Sequence, residues 1–253
     1  MSMLRLDQLL LSQGLARSRT RAQRLIRHGR VSLMEDGRVL CKPGEKLAET
    51  TGLCVEDDPE ERYVSRAGLK LEAVLEALAL RLEGQCVLDI GQSTGGFTDC
   101  ALHYGAARVV GIEVGHGQLD ERLRGDSRVE CLEGINARYL SQSERVITAL
   151  QAQPPSIAVM DVSFISQTLI LAEIASVLKP GGQLVSLVKP QFELGPDGVD
   201  TRGIVRDASR YPEVQQRIQS ACEMCGFEVL HWQESPITGS DGNREFLLHA
   251  RLR

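Results

Sequence analysis

Four ionisable residues, two lysines and two acids, fall at the ends of predicted strands or on the helix that leads into them. They are Lys70, Asp161, Lys189 and Glu245. A lysine beside another cation can act as a general base or hold an alkoxide, and a nearby carboxylate can orient it. Such a set suits attack by a poor nucleophile, for example a hydroxyl group, with positioning supplying most of the effect. A structural ion-pair network is the alternative, and it would be preferred for any one of the four alone.

A glycine-rich turn links a predicted strand, 86–90, to a predicted helix, 97–107. Its glycines let the backbone approach a ligand closely, and the helix start offers free N–H groups. The spacing is neither the dinucleotide pattern Gly-x-Gly-x-x-Gly nor that of a P-loop. The next predicted strand, 108–112, leads to Glu113, an acid that can bind both hydroxyls of a ribose.

This unit predicts a nucleoside-cofactor site with no phosphate grip, which suits S-adenosylmethionine (SAM) better than NAD or ATP. The alternative is an ordinary strand-to-helix turn of another doubly wound protein. The predicted cofactor-binding residues are Asp89, Gly91, Ser93, Thr94, Gly95, Gly96, Glu113 and Asn136.

Apolar segments alternate with predicted helices through the rest of the chain. Further strands are predicted at 128–132, 157–160, 183–188, 228–232 and 245–252, and long helices at 165–178 and 208–225. Alternation of this kind predicts an α/β fold: a Rossmann-like, mostly parallel, seven-stranded sheet with helices on both faces. In such sheets function lies at the carboxyl ends of the strands, where Asp161 and Lys189 fall; Lys70 is on the helix that enters the domain, and Glu245 is at the start of the last strand.

Arginine dominates the charge of the first thirty residues. They contain seven arginines and one acid, whereas the whole chain has a formal net charge of −5. A predicted helix over 19–28, capped by Ser18, turns Ala22, Leu25 and Ile26 inward and leaves its arginines outside. A compact cationic cluster ahead of an acidic body indicates a module that contacts nucleic acid, and a solvated helix face is the alternative. The predicted RNA-binding residues are Arg5, Arg17, Arg19, Arg21, Arg24, Arg27 and Arg30.

The chain divides at a polar segment that contains a proline. We predict a small domain over 1–58, with two short helices and strands that include 30–33 and 38–40. A linker over 59–64 follows, and the α/β domain covers 65–253.

Composition limits the remaining classes. The seven scattered cysteines indicate buried thiols in a reducing compartment, and the Cys222/Cys225 pair within a predicted helix favours core packing over zinc or redox chemistry, so no metal is predicted. We find no apolar run long enough for a membrane span and no signal-peptide core. We therefore expect a cytoplasmic protein without a membrane partner. The oligomeric state is not indicated.

Residues 4 to about 56 resemble the S-four RNA-binding domain, which has an α-L fold. The motif residues are Arg5-Leu6-Asp7, Ser18-Arg19, Ala22, Ile26, Gly29 and Val31. The resemblance implies that this module holds structured RNA.

Nearly the whole chain resembles the TlyA family, in which an S-four domain precedes an FtsJ-like methyltransferase domain. The segments that carry the resemblance are 65–71, 89–98, 115–119, 161–165, 187–193, 203–207 and 235–245. It implies a SAM-dependent methyltransferase that acts on the ribose 2′-hydroxyl of cytidine in ribosomal RNA, with ribosomal RNA or ribosomal subunits as partners. It also implies that Lys70, Asp161, Lys189 and Glu245 form a tetrad in which Lys189 is the candidate base.

The chain departs from the family pattern in a few places. Gln92 stands where a small residue is usual, Glu113 replaces the commoner Asp, and Asp120 and Glu121 make the predicted RNA approach more acidic. Two alternatives stay open. One is an RNA-binding protein of this fold with little or no catalysis. The other is a membrane-active haemolysin, a label that members of the family often carry.

Overall fold

A computed structural model describes residues 3–16, 18–239 and 241–253. Arg17, one of the predicted RNA-binding residues, lies outside the described residues. Backbone contacts divide the chain into two compact units, 1–62 and 63–253. The division falls inside the segment predicted as a linker, where Pro59–Glu61 forms a 3-10 turn. The domain boundaries themselves stay a prediction.

The first unit packs two helices with two small antiparallel sheets. Its elements are β1 (Met3–Arg5), α1 (Leu6–Ser12), α2 (Arg19–Arg27), β2 (Val31–Leu33), β3 (Lys46–Ala48) and β4 (Leu53–Val55). Strand β1 pairs with β3, and β2 pairs with β4. Ser18 caps α2 as predicted, because its side chain accepts the N–H of Arg21, and Ala22, Leu25 and Ile26 are buried.

The predicted strand 38–40 is reduced to a single bridge between Val39 and Ser32. Two backbone hydrogen bonds flank this bridge, one of them from the N–H of Leu40 to the carbonyl of Val31. The pairing ends there because the chain turns at 42–45, where Pro43 has no N–H to donate.

The second unit is a sheet covered on both faces by helices. Its strands are β5 (Cys86–Ile90), β6 (Arg108–Glu113), β7 (Val129–Glu133), β8 (Ile157–Met160), β9 (Gln183–Val188), β10 (Phe227–Glu234) and β11 (Phe246–Leu252). Its helices are α3 (Ala67–Ala77), α4 (Gly96–His103), α5 (Glu121–Arg124), α6 (Glu144–Gln151), α7 (Leu171–Val177), α8 (Pro190–Glu193) and α9 (Tyr211–Met224).

The strand order is β10-β11-β9-β8-β5-β6-β7. Only β11 runs antiparallel to its neighbours, so the predicted mostly parallel, seven-stranded sheet is confirmed. The chain order reverses between β5 and β8, and ligands of open α/β sheets bind beyond the carboxyl ends of the strands at such a point. Alternate residues of β5 enter the two cores: Leu88 and Ile90 face one, and Val87 faces the other, which contains α3 and α4 side chains.

The helix predicted over 165–178 is shorter than expected. It begins at Leu171, after a separate 3-10 turn, Gln167–Leu169, that Ser166 caps. The carboxylate of Glu193 accepts hydrogen bonds from the N–H of Gln167 and the hydroxyl of Ser166, which holds this turn apart from the helix.

Candidate active site

The four ionisable residues predicted as catalytic meet as two ion pairs in the second unit. Asp161 directly follows β8 and Lys189 directly follows β9, and these neighbouring strands place Lys189 Nζ 2.6 Å from Asp161 Oδ1. The same ammonium group donates to the hydroxyl of Ser163 at 2.9 Å. The carboxyl ends of two parallel strands therefore build the first pair.

The second pair joins residues that are far apart in the chain. Lys70 lies on α3 and Glu245 directly precedes β11, and Lys70 Nζ is 2.5 Å from Glu245 Oε2. Both side chains are buried, with 8% and 3% of their residue surfaces exposed. Burial raises the pKa of Glu245, while the Lys70 ammonium opposes that rise. The charges of Lys189 and Asp161 also act on Glu245, so the two pairs belong to one electrostatic cluster.

A cavity of about 480 Å³ opens beside the first pair, at the carboxyl ends of β5, β6 and β8. Gly91, Ser93, Glu113 and Asn136, all predicted cofactor residues, line it together with Asp161. Apolar walls come from Ile112, Val162, Ile165, Ile135 and Ile170. No lysine or arginine is among the described residues of the lining. The cavity therefore suits an uncharged aromatic nucleoside and has no phosphate grip.

Glu113 lies at the edge of this cavity with both carboxylate oxygens already oriented. They accept the N–H groups of Ser93 and Gly115, each at 2.8 Å. A carboxylate has about four acceptor positions, so the bound backbone fixes its plane and leaves capacity for ribose hydroxyls. Ser93 has a positive φ of 49°, a sparsely populated conformation for a residue with a side chain, and such strain concentrates at ligand sites.

A smaller cleft of about 160 Å³ joins the glycine-rich turn to Lys189. Gly91, Ser93, Thr94 and Gly96 line it, as does Lys189. Gly91 has a φ of +81°, and a β-carbon there would lie 2.5 Å from the carbonyl oxygen of Asp161. Only glycine therefore allows the turn to pass so close to the first ion pair. Gly95, with a φ of +95°, lies at the start of α4 outside both described linings.

Asp89 lies beneath the turn and is fully buried. Its Oδ2 accepts the hydroxyl of Thr98 at 2.6 Å, but its Oδ1 has no hydrogen-bond partner among the described residues. Burial raises the pKa of Asp89 to about 7. A buried, unsatisfied carboxylate oxygen costs free energy unless a donor reaches it, so this oxygen indicates a cationic or N–H group of a ligand.

A third cleft, of about 510 Å³ and open to solvent, also borders the ion pairs. Lys189 and Glu245 line it, together with Gln191 and Phe192. Phe164 lines both this cleft and the 480 Å³ cavity, and it is 91% exposed. Asp161 of the first pair lines the 480 Å³ cavity, whereas Lys189 and Glu245 line this open cleft, so the two pairs border both a space suited to a cofactor and a space suited to an acceptor. The sequence alone did not indicate a role for Phe164, Ser163 or Gln191, although Ser163 and Phe164 follow the predicted strand end at Asp161.

In the first unit most of the predicted RNA-binding arginines are already paired. Arg5 and Arg19 both contact the buried carboxylate of Asp7, at 3.0 and 3.1 Å. The hydrogen bond from Arg5 is the largest cause that holds the pKa of Asp7 well below its usual range. Each arginine keeps about half of its side chain exposed. Asp7 therefore holds two guanidinium groups at the surface.

Acidic residues after β4 pair with further arginines of the first unit. Glu61 forms ion pairs with both Arg21, at 2.7 Å, and Arg24, while Arg30 lies 3.5 Å from Glu56. Arg27 is exposed, and no ion pair to it occurs among the described residues. No pattern in the sequence predicts that acids from 56–61 pair with arginines of α2 and with Arg30.

Comparison with known proteins agrees with this division. Residues 63–252 match the model of the FtsJ-like methyltransferase family, and residues 4–48 match that of the S4 domain. A 16S/23S rRNA (cytidine-2′-O)-methyltransferase TlyA from Mycobacterium tuberculosis is 38% identical over 249 residues, which cover 98% of this chain and 90% of the relative.

The chain belongs to the TlyA family of FtsJ-like methyltransferases. Another relative, Hemolysin A from Brachyspira hyodysenteriae, is 38% identical over 97% of this chain and 99% of its own. A solved structure, described as "Putative hemolysin from Streptococcus thermophilus", has a TM-score of 0.73 and 42% identity. It covers 100% of this chain and 89% of its own.

As a member of this family, the chain is a SAM-dependent methyltransferase. Its residues fit the cofactor: the 480 Å³ cavity suits adenosine, Glu113 suits the ribose, and the unpartnered Oδ1 of Asp89 suits a donor group of the ligand. Asp89 itself is buried beneath the turn and lies in neither described lining. Among the described residues, no helix is both long and apolar enough to cross a bilayer.

Proposed function

We propose that this chain methylates the ribose 2′-hydroxyl of cytidine in ribosomal RNA, and that it does so in the cytoplasm. The observation that carries the proposal is the pair of lysine–carboxylate contacts that border both the cofactor cavity, through Asp161, and the open cleft, through Lys189 and Glu245. A ribose hydroxyl is a poor nucleophile, so its methylation needs a group that removes or stabilises its proton. The substrate named for the relative from M. tuberculosis supports cytidine in ribosomal RNA.

SAM, when bound, supplies an electrophilic methyl group on a sulfonium. We assign Lys189 as the group that accepts the hydroxyl proton, because it lines both the cleft beside the glycine-rich turn and the open cleft. To act as the base, Lys189 is a neutral amine when the hydroxyl group attacks the methyl group. It then takes up the hydroxyl proton, and Asp161, 2.6 Å away, stabilises the resulting ammonium group. Ser163 fixes the direction of the Lys189 amine by accepting a hydrogen bond from it.

Lys70 and Glu245 form the second half of the proposed tetrad. Because Glu245 lines the open cleft and its partner Lys70 is buried, Glu245 is held in one rotamer at the edge of the acceptor site. A fixed carboxylate there can accept a hydrogen bond from the ribose and hold it in line for transfer. Preorganised groups of this kind cost little reorganisation during the reaction.

The first unit supports an RNA substrate. Arg5 and Arg19 are held by Asp7 with their guanidinium groups partly exposed, and Arg27 is exposed on the same module. Guanidinium groups bind phosphates in a bidentate manner, so this surface is suited to an RNA backbone. Phosphates would have to compete with Glu61 for Arg21 and Arg24.

The test uses tritiated SAM with separated ribosomal subunits and naked ribosomal RNA from a strain that lacks this protein. We expect label in RNA with the wild-type chain and none with Lys189→Ala, which should still bind RNA. RNA binding without any label, from a chain that binds SAM, would point to another RNA substrate. RNA binding with neither label nor SAM binding would favour the non-catalytic alternative. Near-normal transfer by Lys189→Ala would remove Lys189 from the base role.

A further inference from the structure

Gln92 lies in the glycine-rich turn but does not face the solvent: only 3% of its surface is exposed. Its side chain fills the space above Gly111 of β6. A β-carbon at position 111 would lie 2.0 Å from Cδ of Gln92. Gly111 is also the partner of Asp89 in the register of β5 and β6. The glycine therefore makes room for a long amide side chain directly beside the buried carboxylate.

A chain of hydrogen bonds leads from Gln92 to that carboxylate. The Gln92 amide donates to Thr98 Oγ1 at 2.9 Å, and the Thr98 hydroxyl donates to Asp89 Oδ2 at 2.6 Å. The ionised form of Asp89 can only accept hydrogen bonds, so in that form Thr98 donates its single hydroxyl hydrogen to Asp89. The hydrogen reaches Asp89 without competition only if Gln92 presents its NH₂ group to the Thr98 oxygen. Gln92 thereby sets the donor-to-acceptor direction of both hydrogen bonds.

The charges around Asp89 make the two hydrogen bonds from Gln92 through Thr98 important for the ionisation of Asp89. Burial is the largest cause that raises the pKa of Asp89 to about 7, and the negative charges of Asp161 and Glu113 act in the same direction. The Thr98 hydroxyl opposes these effects by stabilising the carboxylate. Asp89 Oδ1 is left without a partner among the described residues, next to the turn.

We propose that Gln92 is a positioning residue of the cofactor site, which orients Thr98 so that Asp89 stays a carboxylate for the ammonium group of SAM. The inference rests on the assignment of Asp89 to the cofactor site. The pair of Gln92 and Gly111 then explains how this chain accommodates a large side chain in its glycine-rich turn. A small residue at position 92 would leave the Thr98 hydroxyl free to rotate.

The test is calorimetric binding of S-adenosylhomocysteine to the full-length chain between pH 6 and pH 8.5. This ligand has the ammonium group, whereas 5′-methylthioadenosine has the same nucleoside without it. For Gln92→Ala and Thr98→Val we expect S-adenosylhomocysteine to bind roughly five- to tenfold more weakly at pH 7, because one charge-assisted hydrogen bond to Asp89 is weakened or lost. The deficit should shrink as the pH rises, and 5′-methylthioadenosine should bind each variant as it binds the wild type.

Two comparisons separate positioning from packing. Gln167→Ala removes an equally buried amide, 2% exposed, away from the turn, and it should leave the pH profile unchanged. Gly111→Ala should lower the melting temperature because its methyl group meets Gln92, and the double variant Gln92→Ala/Gly111→Ala should regain much of that loss. A pH-independent weakening that affects both ligands equally would overturn the inference, as would an unchanged profile for Gln92→Ala.

Asp89→Asn distinguishes failure of the inference from failure of the site assignment. If Asp89→Asn binds S-adenosylhomocysteine as well as the wild type, the assigned role of Asp89 is wrong. If it binds weakly while Gln92→Ala keeps the wild-type pH profile, only the role of Gln92 is wrong.

Discussion

The buried pair of Lys70 and Glu245 allows stability and catalysis to be measured separately. With residue exposures of 8% and 3% and a contact of 2.5 Å, this is a desolvated ion pair. Removal of one partner from such a pair typically costs about 3–5 kcal/mol, because the other charge is left buried. Since a glutamine keeps the volume and one acceptor of the carboxylate, we expect Glu245→Gln to lose about 3 kcal/mol of unfolding free energy. Urea unfolding monitored by circular dichroism measures this change.

The matched control replaces both partners by apolar residues of similar size, as in Lys70→Met/Glu245→Leu. Such replacements of a buried pair are often neutral, so we expect stability within about 1 kcal/mol of the wild type. Methyl transfer should nevertheless be lost in this double variant, because Glu245 no longer accepts the proposed hydrogen bond from the ribose of the RNA. Near-normal transfer by the stable double variant would show that the pair is only structural. A single variant as stable as the wild type would refute the claim that the pair is desolvated.

Three further predictions follow from the contacts in the two units. Glu61→Gln should release Arg21 and Arg24, tighten RNA binding and steepen its salt dependence by up to about 0.7 in log–log slope for each new phosphate contact, measured by filter binding. A flatter slope would contradict this. Asp89→Asn should make the ligand-free protein more stable at pH 8, by at most about 4 kcal/mol. The pKa of Asp89 is raised to about 7 from an ordinary 3.8, so the folded state binds this proton more tightly than the unfolded state. The free energy of unfolding of the wild type therefore falls as the pH rises between these two values, and Asn has no proton to lose. Urea unfolding at pH 5 and pH 8 tests the sign, and a variant less stable than the wild type at pH 8 would contradict it. Lys189→Ala should bind S-adenosylhomocysteine within about threefold of the wild type by calorimetry, since the cofactor contacts assigned above lie elsewhere, and a larger loss would place Lys189 in cofactor binding.

The sequence predicts the central strands well because buried parallel strands are short continuous apolar runs bounded by turn residues. The predicted bounds of 86–90, 157–160 and 183–188 agree with β5, β8 and β9. Helix ends are less predictable, since α7 starts six residues late where the distant Glu193 holds a separate turn.

The candidate site shows the same limit. Strand-end positions predict that Asp161, Lys189 and Glu245 lie near one edge of the sheet, and Lys70 is predicted on the entering helix, but the sequence does not say which lysine contacts which acid. Lys70 and Glu245 are 175 residues apart, so their contact depends on the order of β9 and β11 in the sheet. The pairing of Glu61 with α2 and the fit of Gln92 over Gly111 likewise depend on tertiary contacts, which no local pattern indicates.

Nucleoside analysis of ribosomal RNA labelled by this chain from tritiated SAM distinguishes methylation of the ribose from methylation of a base. We expect the label to be recovered in 2′-O-methylcytidine, and we expect none with Lys189→Ala although this variant is folded and binds RNA. Label recovered in a base-methylated nucleoside would contradict the proposed chemistry of the two lysine–carboxylate pairs.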